Sequence, residues 1–234
     1  MLIDRIVKGF ASCIVIFGGL GQGKTTLAIE VADEVNAHFG QPPVDLITKE
    51  QIATGGEEFK QKIIKNYRKG FHAVIYDESG DFSGRSYYSR LNRDLYRIFQ
   101  MYRAFKILVI LVLPSFTDMD TGLFKLDVVR LGLHLRNRDQ KRGVFYGYSL
   151  KKLIYAKHNI SKGRVVPAFA LKSVSANFCG IFKDLSPERS VILDKLSTEA
   201  KVRLSKSIID ADKPKKDKFM DINESLYAYG GARP

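Results

Sequence analysis

"VIFGGLGQGKTTLA", Val15 to Ala28, is the stretch that decides the fold. An apolar run breaks into glycines and resumes as a helix-forming run behind a lysine and two threonines. Gly18, Gly23, Lys24 and Thr25 satisfy the pattern G-x-x-x-x-G-K-[ST], with the strand before it and the helix after it that the pattern requires. Glycines let backbone N–H groups turn inward toward phosphate, and the helix start adds unpaired donors and the positive end of a dipole. The loop Gly18, Gly19, Leu20, Gly21, Gln22, Gly23 with Lys24, Thr25 and Thr26 is therefore the expected seat of ATP. Lys24 is expected to bridge the β- and γ-phosphates, and Thr25 to offer its hydroxyl to Mg²⁺.

Downstream, "AVIYDES" runs from Ala73 to Ser79, an apolar strand ending in Asp77 and Glu78. Asp77 is the expected carboxylate for the Mg²⁺ shell. Glu78, one residue on, is placed to polarise an attacking water as general base, which turns a nucleotide binder into a hydrolase. An adjacent Asp-Glu pair points to the P-loop ATPases with a catalytic glutamate and away from small GTPases, whose guanine-reading N-K-x-D element is absent here.

The formal net charge of +13 over 234 residues directs attention to polyanionic partners, nucleic acid first. Basic residues gather in Lys60 to Lys69, at Arg85, Arg90, Arg93 and Arg97, and in Arg136 to Arg142. The intervening "SGDFSGRSYYSR" brings Tyr87 and Tyr88 among arginines, a composition suited to gripping a nucleic-acid strand or to packing on the core. The chain has two cysteines, Cys13 and Cys179, without histidines at metal-ligand spacing, so a reduced, cytoplasmic protein is expected. Cys13, inside an apolar strand, reads as a small buried hydrophobe. The longest apolar run, Ile107 to Pro114, is far short of the ~20 residues a membrane span needs. The opening "MLIDRIVKGF" lacks the pattern of a cleavable leader.

Short apolar strands alternate with amphipathic helices across the first two thirds, the pattern of a three-layer α/β fold built on a parallel sheet. Strands are expected at Cys13 to Phe17, Val44 to Thr48, Ala73 to Tyr76 and Ile107 to Leu113. Helices are expected at Lys24 to His38, Glu57 to Lys69, Ser89 to Arg103 and about Leu123 to Val129. "LGLHLRNR" and "GVFYGYSLKKLIYAK" alternate and read as paired strands across the turn "DQKRG". "GRVVPAFALKSV" and "ANFCGIFKDL" extend this into a small β appendage, with Pro167 confining the former to an edge. Ser186 is the expected N-cap, and Pro187 the first residue, of a final amphipathic helix. The expected organisation is an ATPase core over 1–150, a β appendage over 151–185, a helix over 186–210 and a tail over 211–234.

The order of these motifs, together with "YRAFKILVILVLPSFTDMD" from Tyr102 to Asp120, resembles the HerA/FtsK superfamily of nucleic-acid pumps over roughly Ile14 to Arg138. That superfamily includes viral packaging ATPases, conjugative coupling ATPases and Zot-like assembly ATPases. The resemblance implies a P-loop NTPase core in which an extra strand lies between the phosphate-loop strand and the Asp-Glu strand. It implies a homo-oligomeric ring, usually a hexamer, that moves or packages DNA for a virus or mobile element. An arginine reaches each site from the neighbouring subunit; Arg103 matches the family position and Arg130 is the second candidate. The family's sensor glutamine has no counterpart, since Val112, Leu113, Pro114 and Ser115 occupy that region. Ser115, or Thr117, either contacts the γ-phosphate or caps the next turn. Two other readings remain: a Zot-like ATPase acting on a virion or membrane protein, and a nucleotide-gated adaptor.

Overall fold

The computed structural model describes residues 6–8, 12–77, 106–118, 124, 129–136, 143–165 and 170–211. They divide into two units, Met1–Ile192 and Leu193–Pro234.

The first unit is built on a seven-stranded sheet: β1 (Ser12–Phe17), β2 (Ile52–Ala53), β3 (Ala73–Tyr76), β4 (Leu108–Leu113), β5 (Val129–Leu135), β6 (Val144–Ser149) and β7 (Phe178–Ile181). The spatial order is β2-β3-β4-β1-β5-β6-β7. The first five in that order are parallel, and β6 and β7 are antiparallel. β4 thus lies between β1 and β3, the strand order expected from the sequence. Every residue of β1, β3 and β4 is buried, which is why these strands read as unbroken apolar runs rather than alternations.

Helices cover both faces. α1 (Lys24–His38) follows β1 and lies over β1, β3 and β4, burying Leu27, Ala28, Ile29 and Ala32. On the opposite face, α2 (Gly56–Lys69) contributes Phe59 and Ile63, and α3 (Leu150–Ser161) contributes Leu153 and Ala156. These pack in one cluster with Val15, Phe17, Tyr76, Val109 and Leu111. At about 1.5–3 kcal/mol per fully buried large apolar side chain, this double-sided burial dominates the stability of the sheet.

The strand expected at Val44 to Thr48 is instead a turn. The Asp45 carboxylate accepts hydrogen bonds from the backbone N–H groups of Ile47 and Thr48 and from the Thr48 hydroxyl, and Lys49 takes a positive φ of 52°. A side chain that satisfies its own backbone in this way removes the need for a ladder partner. The edge strand is β2, a few residues later. The buried Asn36 and Gln51 exchange amide hydrogen bonds, and Gln51 also donates to the Ala73 carbonyl, tying α1 to that edge.

The run after β6 also departs from expectation. β6 ends at Ser149, and Leu150 to Ser161 is helical. Leu153 seats over Gly132 of β5, which has no side chain to obstruct it; a Cβ there would lie 2.7 Å from a Leu153 methyl. The expected helix at Leu123 to Val129 gives way at its end to β5, which begins at Val129. Ala170 to Val174 form turns rather than a strand. β7 pairs with β6 and so continues the main sheet.

α4 (Pro187–Ala211) opens with the Ser186 hydroxyl accepting from the Arg189 N–H at 3.5 Å, at the cap position expected for Ser186. Within the first unit, Arg189 makes a two-pronged ion pair with Asp33 of α1, at 2.6 and 3.3 Å, and donates to the Val44 carbonyl. Leu193–Pro234 form the second unit, described to Ala211 as the continuation of α4.

Candidate functional site

β1 ends at Phe17, and the chain turns through Gly18 to Gly23 into α1 at the C-terminal edge of the parallel strands, where open α/β sheets place their ligands. Two glycines are demanded by geometry. A Cβ on Gly18 would fall 2.5 Å from the Gln22 side-chain oxygen and 2.9 Å from the Leu135 carbonyl oxygen of β5. Gly23, the N-cap of α1, holds φ 85° and ψ 27°, a left-handed conformation that L side chains adopt at a cost. Its Cβ would meet the ring of Phe182 at 3.1 Å. The loop is therefore pressed from one side by β5 and from another by the segment after β7.

Inside the loop, Lys24 Nζ donates to the carbonyls of Gly18 and Gly19, both at 2.9 Å. The ammonium is thereby folded back onto the loop. The Gly19 N–H donates to Gln22 Oε1 at 2.7 Å. Leu20, at the loop tip, is 96% exposed. Sequence reasoning did not single out Gln22 for a role of its own. The G-x-x-x-x-G-K pattern leaves that position open, and only the folded loop brings its amide onto Gly19.

Thr25 and Asp77 stand 52 positions apart and are brought together by the fold. Thr25 Oγ1 donates to Asp77 Oδ2 at 3.0 Å. Asp77 follows β3, and its N–H donates to the Ala53 carbonyl of β2, which fixes the carboxylate at the sheet edge. A hydroxyl in the first turn of α1 and a carboxylate at the end of β3 are hard oxygen donors. They suit a Mg²⁺ that is held by few protein ligands and completes its shell with phosphate and water. Among the described residues no group of three or more His, Cys, Asp and Glu is gathered into a metal cage.

Ser115 lies just past β4, whose last residue is level with Phe17 of β1, so it is at the same edge as the loop. Its hydroxyl is 2.7 Å from that of Thr117 and accepts from the Thr117 N–H at 3.2 Å. In this structure Ser115 caps the 3-10 turn Phe116–Asp118, one of the two roles open to it. Lys157 of α3 donates to the Thr117 carbonyl at 3.4 Å and lies over the Phe124 ring. Arg130 is the residue at which the β1–β5 register shifts, near the start of β5 and at the opposite end of that strand from the phosphate loop. Glu78, Arg103, Tyr87 and Tyr88 lie outside the described residues, as do Arg85, Arg90, Arg93 and Arg97.

Beside the loop, at the end of β5, His134 stacks on Phe17 with ring centroids 5.0 Å apart. It accepts a hydrogen bond at Nδ1 from Arg136 Nε at 3.2 Å. Burial first, and then the Arg136 charge, push its pKa down to about 4, so the ring is neutral at physiological pH. Arg136 also lies over the Tyr146 ring at 5.4 Å.

No protein-family model matches the chain. No curated protein matches it either. Among solved structures, it is similar to the genome-packaging NTPase of Sulfolobus turreted icosahedral virus 2 in complex with AMPPCP. The identity is 12%, the coverage 62% of this chain and 95% of that one, and the TM-score 0.43. It is also similar to the N-terminal domain of zonular occludens toxin from Neisseria meningitidis, at 16% identity, 76% and 96% coverage and a TM-score of 0.47. A KaiC-like protein from Pyrococcus horikoshii OT3 follows at 14% identity, 59% and 77% coverage and a TM-score of 0.39. At these identities and scores the likenesses assign no activity.

Proposed function

We propose that this chain is a Mg²⁺-dependent ATPase of the HerA/FtsK type that works as a homo-oligomeric ring, moving or packaging DNA. The observation that carries the reading is the 3.0 Å contact of Thr25 with Asp77, beside a glycine loop onto whose Gly18 and Gly19 carbonyls Lys24 is folded back. The strand order with β4 between β1 and β3 and the net charge of +13 support it.

In this reading the backbone N–H groups from Gly19 to Thr25 receive the phosphates, and Lys24 exchanges the Gly18 and Gly19 carbonyls for phosphate oxygens. Thr25 and Asp77 hold Mg²⁺, which when bound neutralises charge on the phosphates. Glu78 orients and deprotonates water. Arg103 or Arg130 reaches the site of an adjacent subunit in the ring and stabilises charge there. A viral or mobile-element setting is what the HerA/FtsK resemblance implies.

ATP turnover of the full chain with and without DNA tests this. Lys24→Ala is expected to lower turnover at least 100-fold. Glu78→Gln is expected to lower it by 10²–10⁴-fold while ATP binding persists, as for loss of a general base. Turnover that survives both substitutions refutes the assigned roles. Turnover that DNA does not stimulate at any salt concentration refutes the DNA motor and points to a protein load.

A further inference from the structure

Between Asp139 and Asp184 the sequence contains no Asp or Glu, while Lys and Arg recur throughout. The centre of this acid-free stretch is α3. Its apolar residues, Leu153 and Ala156, are buried against the sheet. Facing outward are Lys151, Tyr155 and His158, with the C-cap Lys162 and then Arg164 just beyond; all are exposed. Positions 151, 155, 158 and 162 follow the i, i+4, i+7, i+11 spacing of one helical stripe, about 16 Å long at 1.5 Å per residue. That length matches the axial rise of roughly five nucleotides of one B-form strand.

The other ordered basic element, α2, is different. Lys60 pairs with Glu57, Lys62 with Glu58, and Lys65 and Lys69 with Glu50, at 2.5 to 3.1 Å. Four of its five cations are thus paired with carboxylates of the element and its neighbouring turn, and the fifth, Arg68, is exposed. Among the described residues, Lys151, Lys162 and Arg164 have no carboxylate partner.

We infer that the outward face of α3 is a nucleic-acid-binding surface, with Lys151, Lys162 and Arg164 on the phosphate backbone and Tyr155, 56% exposed, against a base or sugar. The inference rests on the nucleic-acid half of the function proposed above and gives the polymer a place on the fold. Tyrosine between cations suits a strand whose bases are accessible, because any base offers a face for stacking. An anionic membrane is disfavoured, since a surface-lying helix needs its apolar face outward and that of α3 is turned into the core. The helix itself is tied to the edge that carries the candidate ATP site: Lys157, on another face of α3, donates to the Thr117 carbonyl in the turn that Ser115 caps.

Fluorescence anisotropy with the full chain, fluorescein-labelled single-stranded and duplex 30-mers and a KCl series tests the inference. The triple variant Lys151→Gln, Lys162→Gln, Arg164→Gln is expected to bind at least tenfold more weakly. The slope of log K against log salt is expected to become shallower by about 2–3, from loss of three phosphate contacts. Tyr155→Ala is expected to weaken single-strand binding at least fivefold and duplex binding less. The control pair Lys65→Gln, Lys69→Gln is expected to bind like the parent. Three results overturn the inference: no binding by the parent, an unchanged slope in the triple variant, or equal loss in the control. Loss of binding by the triple variant to phosphatidylserine vesicles but not to DNA also overturns it, in favour of a membrane. ATP turnover without DNA is measured in the same variants. Absent turnover in the parent together with α3-dependent DNA binding defeats the ATPase reading and leaves this surface standing.

Discussion

Gly23→Ala tests how the phosphate loop is held. Gly23 caps α1 in the left-handed region, where an L residue costs about 1–2 kcal/mol. The new methyl also meets Phe182 ring carbons at 3.1 and 3.2 Å, and that ring is 5% exposed, with little room to retreat. Overpacking adds about 1 kcal/mol, the low end of its range, because the ring edge shifts by a few tenths of an ångström. The sum, about 2–3 kcal/mol, corresponds to a Tm lower by roughly 4–12 °C for a chain of this size. Urea unfolding followed by far-UV circular dichroism measures it, the chain having no Trp for fluorescence. Backbone strain does not depend on Phe182, so a cycle with Phe182→Leu isolates the steric part. The double variant is expected to lose about 1 kcal/mol less than the two single variants added together. A coupling within ~0.3 kcal/mol of zero refutes the claim that Phe182 bears on the loop. A total loss below about 0.5 kcal/mol refutes the left-handed cap as well.

His134 gives the fold a pH dependence of known sign. Its folded pKa of about 4 lies below the ordinary 6.5, so its contribution is complete above pH 6.5 and is lost as the pH falls toward 4. Between pH 8 and 5 the loss is about 2 kcal/mol; denaturation across that range should show it in the parent and not in His134→Phe, and identical profiles would refute it. The cysteines differ in reactivity. Cys13 is 1% exposed and burial pushes its thiol pKa up, whereas Cys179 is exposed. A thiol-reactive chromophore is expected to count one group per chain in buffer and two in denaturant, and two in buffer would show that β1 opens.

The residues legible from sequence share a physical property: their signal is local. β1, β3 and β4 are short runs with both faces buried, so composition alone marks them. Lys24 to His38 was expected as a helix and is α1, because a glycine cap and a periodic apolar stripe set its limits. Val44 to Thr48 misled because Val44 and Leu46 are buried in alternation, as in a strand, while Asp45 satisfies the backbone as a turn. Leu150 to Lys157 misled because "YGYSLKKL" continues the alternation of β6 by chance. The helix wins there because Leu153 finds space over Gly132, a residue on another strand.

By itself the sequence determined the chemistry on offer: a glycine loop with Lys24 and Thr25, an Asp77-Glu78 pair on a strand end, and an excess of positive charge. Each rests on residues a few positions apart, within reach of backbone geometry. Only the tertiary structure decided which of these meet. Thr25 touches Asp77 because α1 lies over β4 and reaches β3, and Gly23 is braced by Phe182 because β7 returns the chain to the loop. Four of the five cations of α2 are paired with Glu50, Glu57 and Glu58, while Lys151 and Lys162 are exposed and have no carboxylate partner among the described residues. Contacts across such separations depend on strand order and packing, which no local pattern encodes.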